Sequence, residues 1–445
     1  MNKRQIALSL LAATMFQPLT AANAQSVAAA SSAVPSVASA QASVASFYST
    51  YTIQPLWFRG GVANPAVGDL VRILKRAPFD GFSGGPQLAS QVEAAVASAA
   101  GSNPASVAAA ERTLSTAWVA YVQAVKRPTP GMIYAYPVLS PQGTRTDQIL
   151  LTASAAPSLQ AMINSVANVN PIYAQLRDTA WAQANATGNL SPDSRLLANL
   201  DRARSLPAKG RFVLVDAGSQ MLYMYENGQP VDSMKVVVGD KRKLGLPTPM
   251  IASIIHYMTF NPYWNVPHHL VRQKVAPGVV KEGTKYLKVR GYEVMSDWTE
   301  QATVVAPDSV DWKAVAAGQK QIRVRQLPSP TNSMGKMKFP FPSGQDIYLH
   351  DTPQRDYFAL AHRDKSNGCV RLEAAPRLAR WLLGREPIAP SKDPEIRTQL
   401  PQGVPVFLTY LTAQPKDGTI AYLEDIYGWD GPQANAPSAV AAGNN

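Results

Sequence analysis

The spacing of apolar residues changes near Arg211, and this change divides the chain into two parts. Before it, apolar residues recur every three or four positions, as between residues 114 and 125, which is the helical period. After it, short apolar runs such as residues 212–215 are separated by turn residues, which predicts strands. A run of helices followed by a run of strands predicts the α+β class.

Composition and periodicity together predict five segments. The first two are a signal peptide and a flexible linker, and the last is a disordered tail. Between them lie a mainly helical domain and a β-rich domain, the second holding an inserted cap. In chain order the bounds are 1–24, 25–46, 47–205, 208–430 with the cap at 262–341, and 431–445.

The amino terminus has the features of an export signal. Lys3 and Arg4 precede an apolar run over residues 6–16, which is too short to span a bilayer. Residues 22–24, Ala-Asn-Ala, fit a small-x-small cleavage site. A retained membrane anchor is the alternative. We expect an exported protein of the periplasm with no integral membrane segment after cleavage.

The predicted linker and tail lack what a folded core requires. Residues 25–46 are almost only Ala, Ser, Val and Gln, and residues 431–445 are similar. Such segments have few large apolar side chains to offset the entropy lost on ordering the chain. They are therefore predicted to be flexible.

The β-rich part shows two hairpin signals and one helix. Asn227-Gly228 separates the apolar runs 221–225 and 231–238, and Asp417-Gly418 separates 406–411 from 419–427. Further strands are expected at 251–260 and 347–349, and a helix at 374–383. About eighty residues separate the strands that end at Phe260 and His350. An excursion of that length predicts a cap over a functional site.

The formal charge of +12 is unevenly distributed. No acidic residue occurs between Asp311 and Asp346, a stretch that suits an anionic partner such as a wall polymer. Export argues against nucleic acid as that partner, and a merely solvated basic face is the alternative reading. The cations of this stretch are Lys313, Lys320, Arg323, Arg325, Lys336 and Lys338.

Cys369 is the only cysteine in 445 residues, so no internal disulfide can form. It follows Gly368 and lies nineteen residues after His350, which ends a predicted strand. This arrangement predicts a nucleophile with its base. The alternative is a small buried apolar residue, but the flanking Ser-Asn-Gly and Val-Arg are unlike a core sequence.

Three features predict that Cys369 is a thiolate near neutral pH. His350 can accept its proton, and the helix expected from about Ala374 can direct its positive end toward the sulfur. Arg363, Lys365 and Arg371 add positive charge nearby. The turn at Gly368 would also direct backbone amides around Cys369 toward one point, where they would stabilise an oxyanion.

The sequence leaves open which group holds the second ring nitrogen of His350 and whether His350 is the base. The backbone carbonyl or the side chain of Asp351 would hold its second nitrogen. His362 is a rival base. A metal site formed by His350, His362 and Cys369 lacks the close ligand pairs of known zinc sites, so no metal and no cofactor are expected.

Residues 348–353 and 366–371 together resemble the signature of the YkuD-type L,D-transpeptidases, in particular the YcbB-like group. Residues 54–57, 199–204, 261–267 and 422–430 are similar to further parts of that group. The resemblance implies a helical scaffold domain followed by a β-rich catalytic domain with a capping subdomain. It also suggests a compact form without a peptidoglycan-binding module.

The resemblance implies an enzyme that remodels peptidoglycan through its stem peptides. Cys369 would attack the acyl carbon of diaminopimelate at position three, D-Ala would leave, and an amine would resolve the thioester. His350 would act as base and then as acid, beside Asp351. The amides of Gly368 and Cys369 would form the oxyanion hole. Substrate contacts are expected from Tyr348, Arg371, Asn367, Ser366 and Trp264, and carbapenems are expected inhibitors.

Asn367 departs from the family pattern, because many relatives have His there and the YcbB-like group often has Ser. The acceptor amine also stays open, so cross-links of either the 3-3 or the 1-3 type are expected. Two alternatives remain: a hydrolase on the same fold, such as an L,D-carboxypeptidase or an enzyme that releases a lipoprotein from the wall, and a non-catalytic wall-binding protein.

Overall fold

The computed structural model describes residues 36–101 and 103–431. The predicted signal peptide, the first part of the predicted linker and the predicted tail beyond residue 431 lie outside these residues. Within them, buried apolar side chains form three cores. One belongs to the helical half, one to the main sheet and one to the cap.

The helical half is built as the spacing predicts. The helix over residues 104–125 begins after Asn103, whose side chain accepts a hydrogen bond from the Ala105 amide. Leu114, Trp118 and Tyr121 are completely buried on this helix. The helices are α1 (Val37–Thr50), α2 (Ala66–Arg76), α3 (Gly85–Ala99), α4 (Pro104–Val125), α5 (Thr146–Ala155), α6 (Leu159–Asn168), α7 (Pro171–Thr187) and α8 (Ser194–Ala203), with short strands β1 (Phe58–Arg59), β2 (Val62–Ala63) and β3 (Ile133–Tyr134).

The linker prediction is wrong for residues 37–46, because they form most of α1. The Ser36 side chain caps this helix, and Ala40 and Val44 are buried in the helical core. The linker prediction rests on the composition of this segment alone, without the surfaces that it packs against. In the folded chain α4 and its neighbours supply an apolar surface, and small side chains are enough to cover it.

The second half contains the predicted strands and six further helices. The strands are β4 (Arg211–Asp216), β5 (Met221–Glu226), β6 (Gln229–Gly239), β7 (Ile251–Phe260), β8 (Trp264–Asn265), β9 (Tyr292–Met295), β10 (Val304–Val305), β11 (Arg323–Gln326), β12 (Met337–Pro340), β13 (Tyr348–His350), β14 (Asp364–Ser366), β15 (Val370–Leu372), β16 (Ile396–Thr409), β17 (Ala413–Lys416) and β18 (Thr419–Tyr422). The helices are α9 (Lys241–Leu244), α10 (His268–Leu270), α11 (Ala276–Glu282), α12 (Lys285–Val289), α13 (Trp312–Ala316) and α14 (Ala375–Leu383), with a π-helical turn over Val271–Val275.

Ten of the described strands form one mixed sheet in the order β12-β13-β15-β6-β5-β4-β16-β7-β3, with β14 beside β6. Strand β7 also pairs with β12, so the sheet closes on itself. Closure removes the exposed edges that a sheet of this size would otherwise present. β3, from the helical half, pairs in parallel with β7 and joins the two halves.

The first hairpin is as predicted, and the second is partly wrong. Asn227 and Gly228 both have positive φ, 52° and 83°, as a two-residue turn between β5 and β6 requires. Asp417 and Gly418 also form a turn, but it joins β17 to β18. Residues 406–409 instead belong to β16, which pairs in parallel with β4. Apolar runs alone do not identify the partner of a strand.

The predicted cap is a subdomain with its own core, although its end was placed too late. Strands β10-β9-β11-β8 form its sheet, and Val271, Val294 and Val324 are buried in its core. Strand β12 lies within the predicted cap but pairs with β13 and β7 of the closed sheet. The carboxamide of Asn332 donates to the carbonyl of Pro262 and to the carbonyl of Gln326, which ties together the two chain segments that enter and leave the cap.

Polar contacts join α8 to the end of the β-rich domain. Arg202 donates to the carboxylate of Asp430 at 2.8 Å, and both side chains are buried. The Asn199 side chain accepts from the amides of Thr412 and Ala413. Among residues 36–101 and 103–431, no helix is both long and apolar enough to cross a membrane.

Candidate active site

Two short parallel strands relate the chain segments that carry the predicted base and the predicted nucleophile. Leu349 of β13 pairs with Val370 of β15, and His350 pairs with Arg371. Leu349 and Val370 are completely buried in the barrel core. Because side chains alternate along a strand, His350 and Arg371 lie on the opposite face. Cys369 directly precedes β15. It lies two residues before Arg371, so strand alternation continued by one residue would put both side chains on the same face.

The turn before Cys369 is fixed by hydrogen bonds to its backbone. Gly368 has φ +106°, a conformation that side chains disfavour. The buried Ser366 hydroxyl donates to the carbonyl of Cys369 at 2.5 Å and accepts from the amide of Gly368 at 3.1 Å. Thr248 Oγ1 donates to the Gly368 carbonyl at 2.7 Å.

These contacts change two expectations. The Ser366 hydroxyl is used inside the turn and is 1% exposed, which disfavours a substrate contact through this hydroxyl. The amide of Gly368 is already engaged by that hydroxyl. An oxyanion hole that uses the amides of both Gly368 and Cys369 therefore stays a prediction, in which the Gly368 amide would be shared.

His350 is held as a neutral imidazole. Its Nδ1 lies 2.6 Å from the backbone carbonyl of Asp351. Because a carbonyl oxygen only accepts, Nδ1 carries the proton and Nε2 is the basic nitrogen. Burial lowers the pKa of His350 to about 3, and the positive charge of Arg371 acts in the same direction.

Cys369 is held as a protonated thiol. Burial raises its pKa to about 11, and the negative charge of Asp346 adds to this effect. The Tyr348 amide and the charge of Arg371 oppose the shift without overcoming it. The thiol donates to the backbone carbonyl of Asp346 at 3.6 Å. Desolvation thus outweighs the nearby cations, which disfavours the resting thiolate that the sequence predicts.

Helix α14 does not direct its positive end at the sulfur. Strand β15 runs from Val370 to Leu372 between Cys369 and this helix. Three extended residues span about 10 Å, so the helix begins at the far end of the strand. The effect of a helix terminus falls off within about one turn.

Asp351 contributes to this region through two different groups. Its backbone carbonyl accepts from His350, whereas its carboxylate accepts from the amide of Lys336 at 2.9 Å. A Cβ at Gly335 would lie 2.4 Å from that carboxylate. Asp351 therefore holds the chain segment that leaves the cap, at Lys336, close to His350.

Three of the remaining predicted residues surround the thiol. Tyr348 donates through its hydroxyl to the carboxylate of Asp346 at 3.3 Å. Arg371 donates to the side chain of Gln354 at 3.1 Å. The side-chain oxygen of Asn367 is buried and has no hydrogen-bond partner among the described residues. Such an unsatisfied acceptor costs free energy unless a ligand supplies a donor.

Trp264 and His362 lie in other surroundings. Trp264, in β8, packs against the cap core with its ring centroid 6.4 Å from that of Tyr292. Its contact with substrate stays a prediction. His362 is exposed, with Nδ1 3.5 Å from the carboxylate of Glu424. This pairing favours His350 over His362 as the base.

In the described part of the chain, no three His, Cys, Asp or Glu side chains come together in a group that fits a metal ion. The chemistry that the site itself offers is that of a neutral thiol, a neutral imidazole and an arginine. His350 and Arg371 lie opposite each other on two adjacent strands, and Cys369 directly precedes one of them.

Sequence reasoning missed the residues that position this machinery. The side chain of Gln354 accepts a hydrogen bond from Arg371. The guanidinium of Arg371 also lies 5.5 Å from the ring centroid of Tyr357. Thr248 bridges the amide of Gly239 and the carbonyl of Gly368. Local sequence gives no signal for these contacts, which join residues 9 to 120 positions apart. For Gln354 the one available signal is its position just after the motif at residues 348–353.

Comparison with known proteins agrees with this architecture. Residues 210–406 match the YkuD family, described as the L,D-transpeptidase catalytic domain. Residues 42–179 match the family described as the Scaffold domain. The chain therefore contains a Scaffold domain followed by a YkuD L,D-transpeptidase catalytic domain, which is the YcbB-like arrangement.

A protein of Haemophilus influenzae (strain Rd) that carries the provisional name L,D-transpeptidase is 29% identical to this chain over 319 residues. The match covers 70% of this chain and 63% of that relative. The chain thus matches less than two thirds of the relative's length.

Proposed function

We propose that this protein is a peptidoglycan L,D-transpeptidase that works through a thioester on Cys369. The observation that supports the proposal is the parallel pairing of β13 with β15 within a YkuD domain, in which His350 lies opposite Arg371, two residues after Cys369. The nucleophile–base pair on a closed sheet is the minimum that acyl transfer requires.

The first half-reaction forms the thioester. As Sγ of Cys369 attacks the acyl carbon at position three of a stem tetrapeptide, Nε2 of His350 accepts the thiol proton. The tetrahedral oxyanion collapses, the C–N bond to D-Ala breaks, and His350 returns the proton to the leaving amine. Since the thiol and imidazole are both neutral at rest, proton transfer accompanies the attack.

The second half-reaction joins two stems. An acceptor amine attacks the thioester carbon, and His350 takes one of its protons. The C–S bond then breaks, and the proton returns to sulfur to regenerate the thiol. The acceptor is the diaminopimelate amine for a 3-3 cross-link or the L-Ala amine for a 1-3 cross-link. Water in place of the amine would make the protein an L,D-carboxypeptidase.

Arg371 and Asn367 have distinct roles in this proposal. The charge of Arg371 acts on both His350 and Cys369. It favours negative charge on sulfur as the thiol attacks, and it favours return of the proton from His350 to the leaving amine. The unpartnered oxygen of Asn367 would accept a hydrogen bond from a stem-peptide amide. The amide of Cys369 would donate to the oxyanion.

The setting follows from the substrate and from the amino terminus. Stem peptides lie outside the cytoplasm, and residues 1–24 have the pattern of a cleaved export signal. We place the mature protein in the periplasm. Carbapenems, whose strained carbonyl presents a similar acyl carbon, would acylate Cys369.

The test is incubation of the purified protein with defined tetrapeptide muropeptides, followed by fragmentation mass spectrometry of the products. Cross-linked dimers with loss of D-Ala are expected, and the fragments identify the acceptor amine. Cys369→Ala and His350→Ala should abolish the reaction, whereas His362→Ala should retain it as the matched histidine control. Trimmed monomers alone would make the protein a hydrolase, and full activity in Cys369→Ala would overturn the proposal.

A further inference from the structure

A cavity of about 450 Å³ opens on the scaffold domain, between α2 and α7. The α2 residues that line it are spaced by three and four positions, so they form one face of that helix. Asp178 and Trp181 line it from α7. The α2 residues are Gly68, Val71, Arg72, Lys75 and Arg76. We propose that this cavity is a binding site for an acidic glycopeptide, separate from the thiol site.

Arg76 is the fixed element of the cavity. Its side chain is only about one tenth exposed, and one guanidinium nitrogen lies 2.8 Å from the carboxylate of Asp178. Its Nε is buried and has no hydrogen-bond partner among the described residues. Because Arg76 lines the cavity, a bound acceptor that draws its guanidinium outward would supply the missing partner, and an unsatisfied buried donor costs free energy.

Two more cations are held by contacts that a ligand can replace. Arg72 donates to Asp69, and Lys75 donates to Glu93 at 2.8 Å. The side chains of Arg72 and Lys75 are more than half exposed. Exposed ion pairs contribute little to stability. Replacing the protein carboxylate in such a pair with a carboxylate of the ligand therefore costs little free energy. A carboxylate of a ligand is therefore a suitable partner here.

Trp181 supplies a different kind of contact. It is half-buried, and its ring lies edge-on to Phe79 with centroids 5.3 Å apart. In the described part of the chain its indole N–H makes no hydrogen bond, so the ring offers both an apolar face and a free donor. A partly exposed tryptophan within a polar cavity is suited to the face of a sugar ring with a hydroxyl at its edge.

Together these groups select a ligand with acceptors, a carboxylate and a ring. Glycan strands that carry acidic stem peptides have all three features, and this choice of source rests on the proposed function. A cavity of this kind would hold the wall polymer on the scaffold domain while the thiol acts on a stem peptide.

Gly68 allows the cavity to be filled without a change of charge. A Cβ there would have no heavy atom within 4 Å, and its backbone is helical. Gly68→Leu should therefore fold normally while it occupies the space. Arg72→Glu with Lys75→Glu tests charge. The matched control is Arg112→Glu with Arg145→Glu, which makes the same change of net charge at exposed positions of the same domain.

The experiment measures binding of a disaccharide tetrapeptide by calorimetry, with the full chain in the Cys369→Ala background to prevent turnover. We expect the affinity at the cavity to fall at least about tenfold in both variants. In Gly68→Leu the leucine occupies the cavity, and in the double reversal each lost charge-assisted hydrogen bond is worth about that factor. The control should bind like the parent. Equal isotherms for all four proteins would overturn the inference.

Two further probes identify the ligand features. The free tetrapeptide should bind the cavity more weakly than the disaccharide tetrapeptide, and inorganic phosphate should not compete at millimolar concentration. Equally tight binding of either probe would overturn the glycopeptide assignment. The proposed function is tested separately by the mass of the thioester that a tetrapeptide forms on the parent enzyme, which Gly68→Leu should leave unchanged. Absence of that thioester would contradict the transpeptidase without affecting the isotherms.

Discussion

Arg371 lies opposite His350 in the register of β13 and β15, and its positive charge acts on both His350 and Cys369. The charge lowers the pKa of the imidazole and opposes the rise in the pKa of the thiol. Burial nevertheless dominates at both groups. The resting site therefore contains two neutral groups and one cation, rather than a thiolate–imidazolium pair.

The first prediction concerns the reactivity of the thiol. Because burial raises the pKa of Cys369 to about 11, its rate of alkylation by iodoacetamide should rise with pH up to that region. Arg371→Met should move the midpoint to higher pH, since Arg371 favours the thiolate. Stopped-flow or mass-spectrometric alkylation kinetics measure both. A plateau that begins near pH 7 would contradict this description.

The second prediction concerns stability in acid. The pKa of His350 is about 3 in the folded protein and about 6.5 in the unfolded chain. Below about pH 6.5 the unfolded state binds a proton that the folded state does not, so stability falls as the pH decreases toward 3. Between pH 7 and pH 4 the wild type should lose about 2–3 kcal/mol more than His350→Gln.

Urea unfolding at pH 7, 5 and 4 measures that difference. His362→Gln is the control, because this exposed histidine is not expected to contribute to the same extent. Equal pH dependence in the wild type and in His350→Gln would show that the imidazole is not buried in its neutral form.

The third prediction concerns the turn before the thiol. Gly368→Ala would put a Cβ 3.1 Å from the Ile347 side chain at φ +106°, a strain of about 1–3 kcal/mol. The amide of residue 369 would then move, and loss of one oxyanion donor costs about 3 kcal/mol, or roughly 100-fold in acylation. Gly188→Ala is the control, since Gly188 also has positive φ but lies in open space. It should lose some stability and keep its acylation rate.

The fourth prediction concerns the joint between the scaffold and the catalytic domain. Asp430 accepts from Arg202 at 2.8 Å and from Arg195 at 2.7 Å, and it is 6% exposed. Asp430→Asn leaves the buried charge of Arg202 without its counter-charge, and the free energy of unfolding should decrease by about 3 kcal/mol. Glu386→Gln breaks the exposed pair with Arg380 and should give no measurable change. Chemical denaturation of both variants distinguishes the two cases.

Apolar periodicity alone predicts the type of a secondary-structure element correctly where that element faces a single core. The helix that contains Leu114 and Trp118 and the strand over residues 251–260 were predicted because their apolar residues repeat with the period of the element. The hairpin at Asn227-Gly228 was predicted because few residues adopt positive φ easily. Such signals are local, and they do not depend on the rest of the chain.

The elements that were predicted wrongly depend on partners that are distant in the sequence. Residues 37–46 look too weakly apolar to fold, yet α4 and its neighbours provide the surface that α1 covers. Strand β16 was assigned to the wrong hairpin, because its partners β4 and β7 lie far away along the chain. Pairing over such distances is decided by the closed sheet, and no local pattern encodes it.

The same division holds for the site. By itself, the sequence determined the chemistry, because a lone cysteine after a glycine and a histidine at a strand end restrict the reaction to few classes. Only the tertiary structure decided the protonation of Cys369 and His350, the carbonyl that orients the imidazole, and the internal use of the Ser366 hydroxyl. The physical reason is that solvent exclusion and hydrogen-bond partners arise from strands brought together by folding, and a pKa responds to that environment more than to neighbours in sequence.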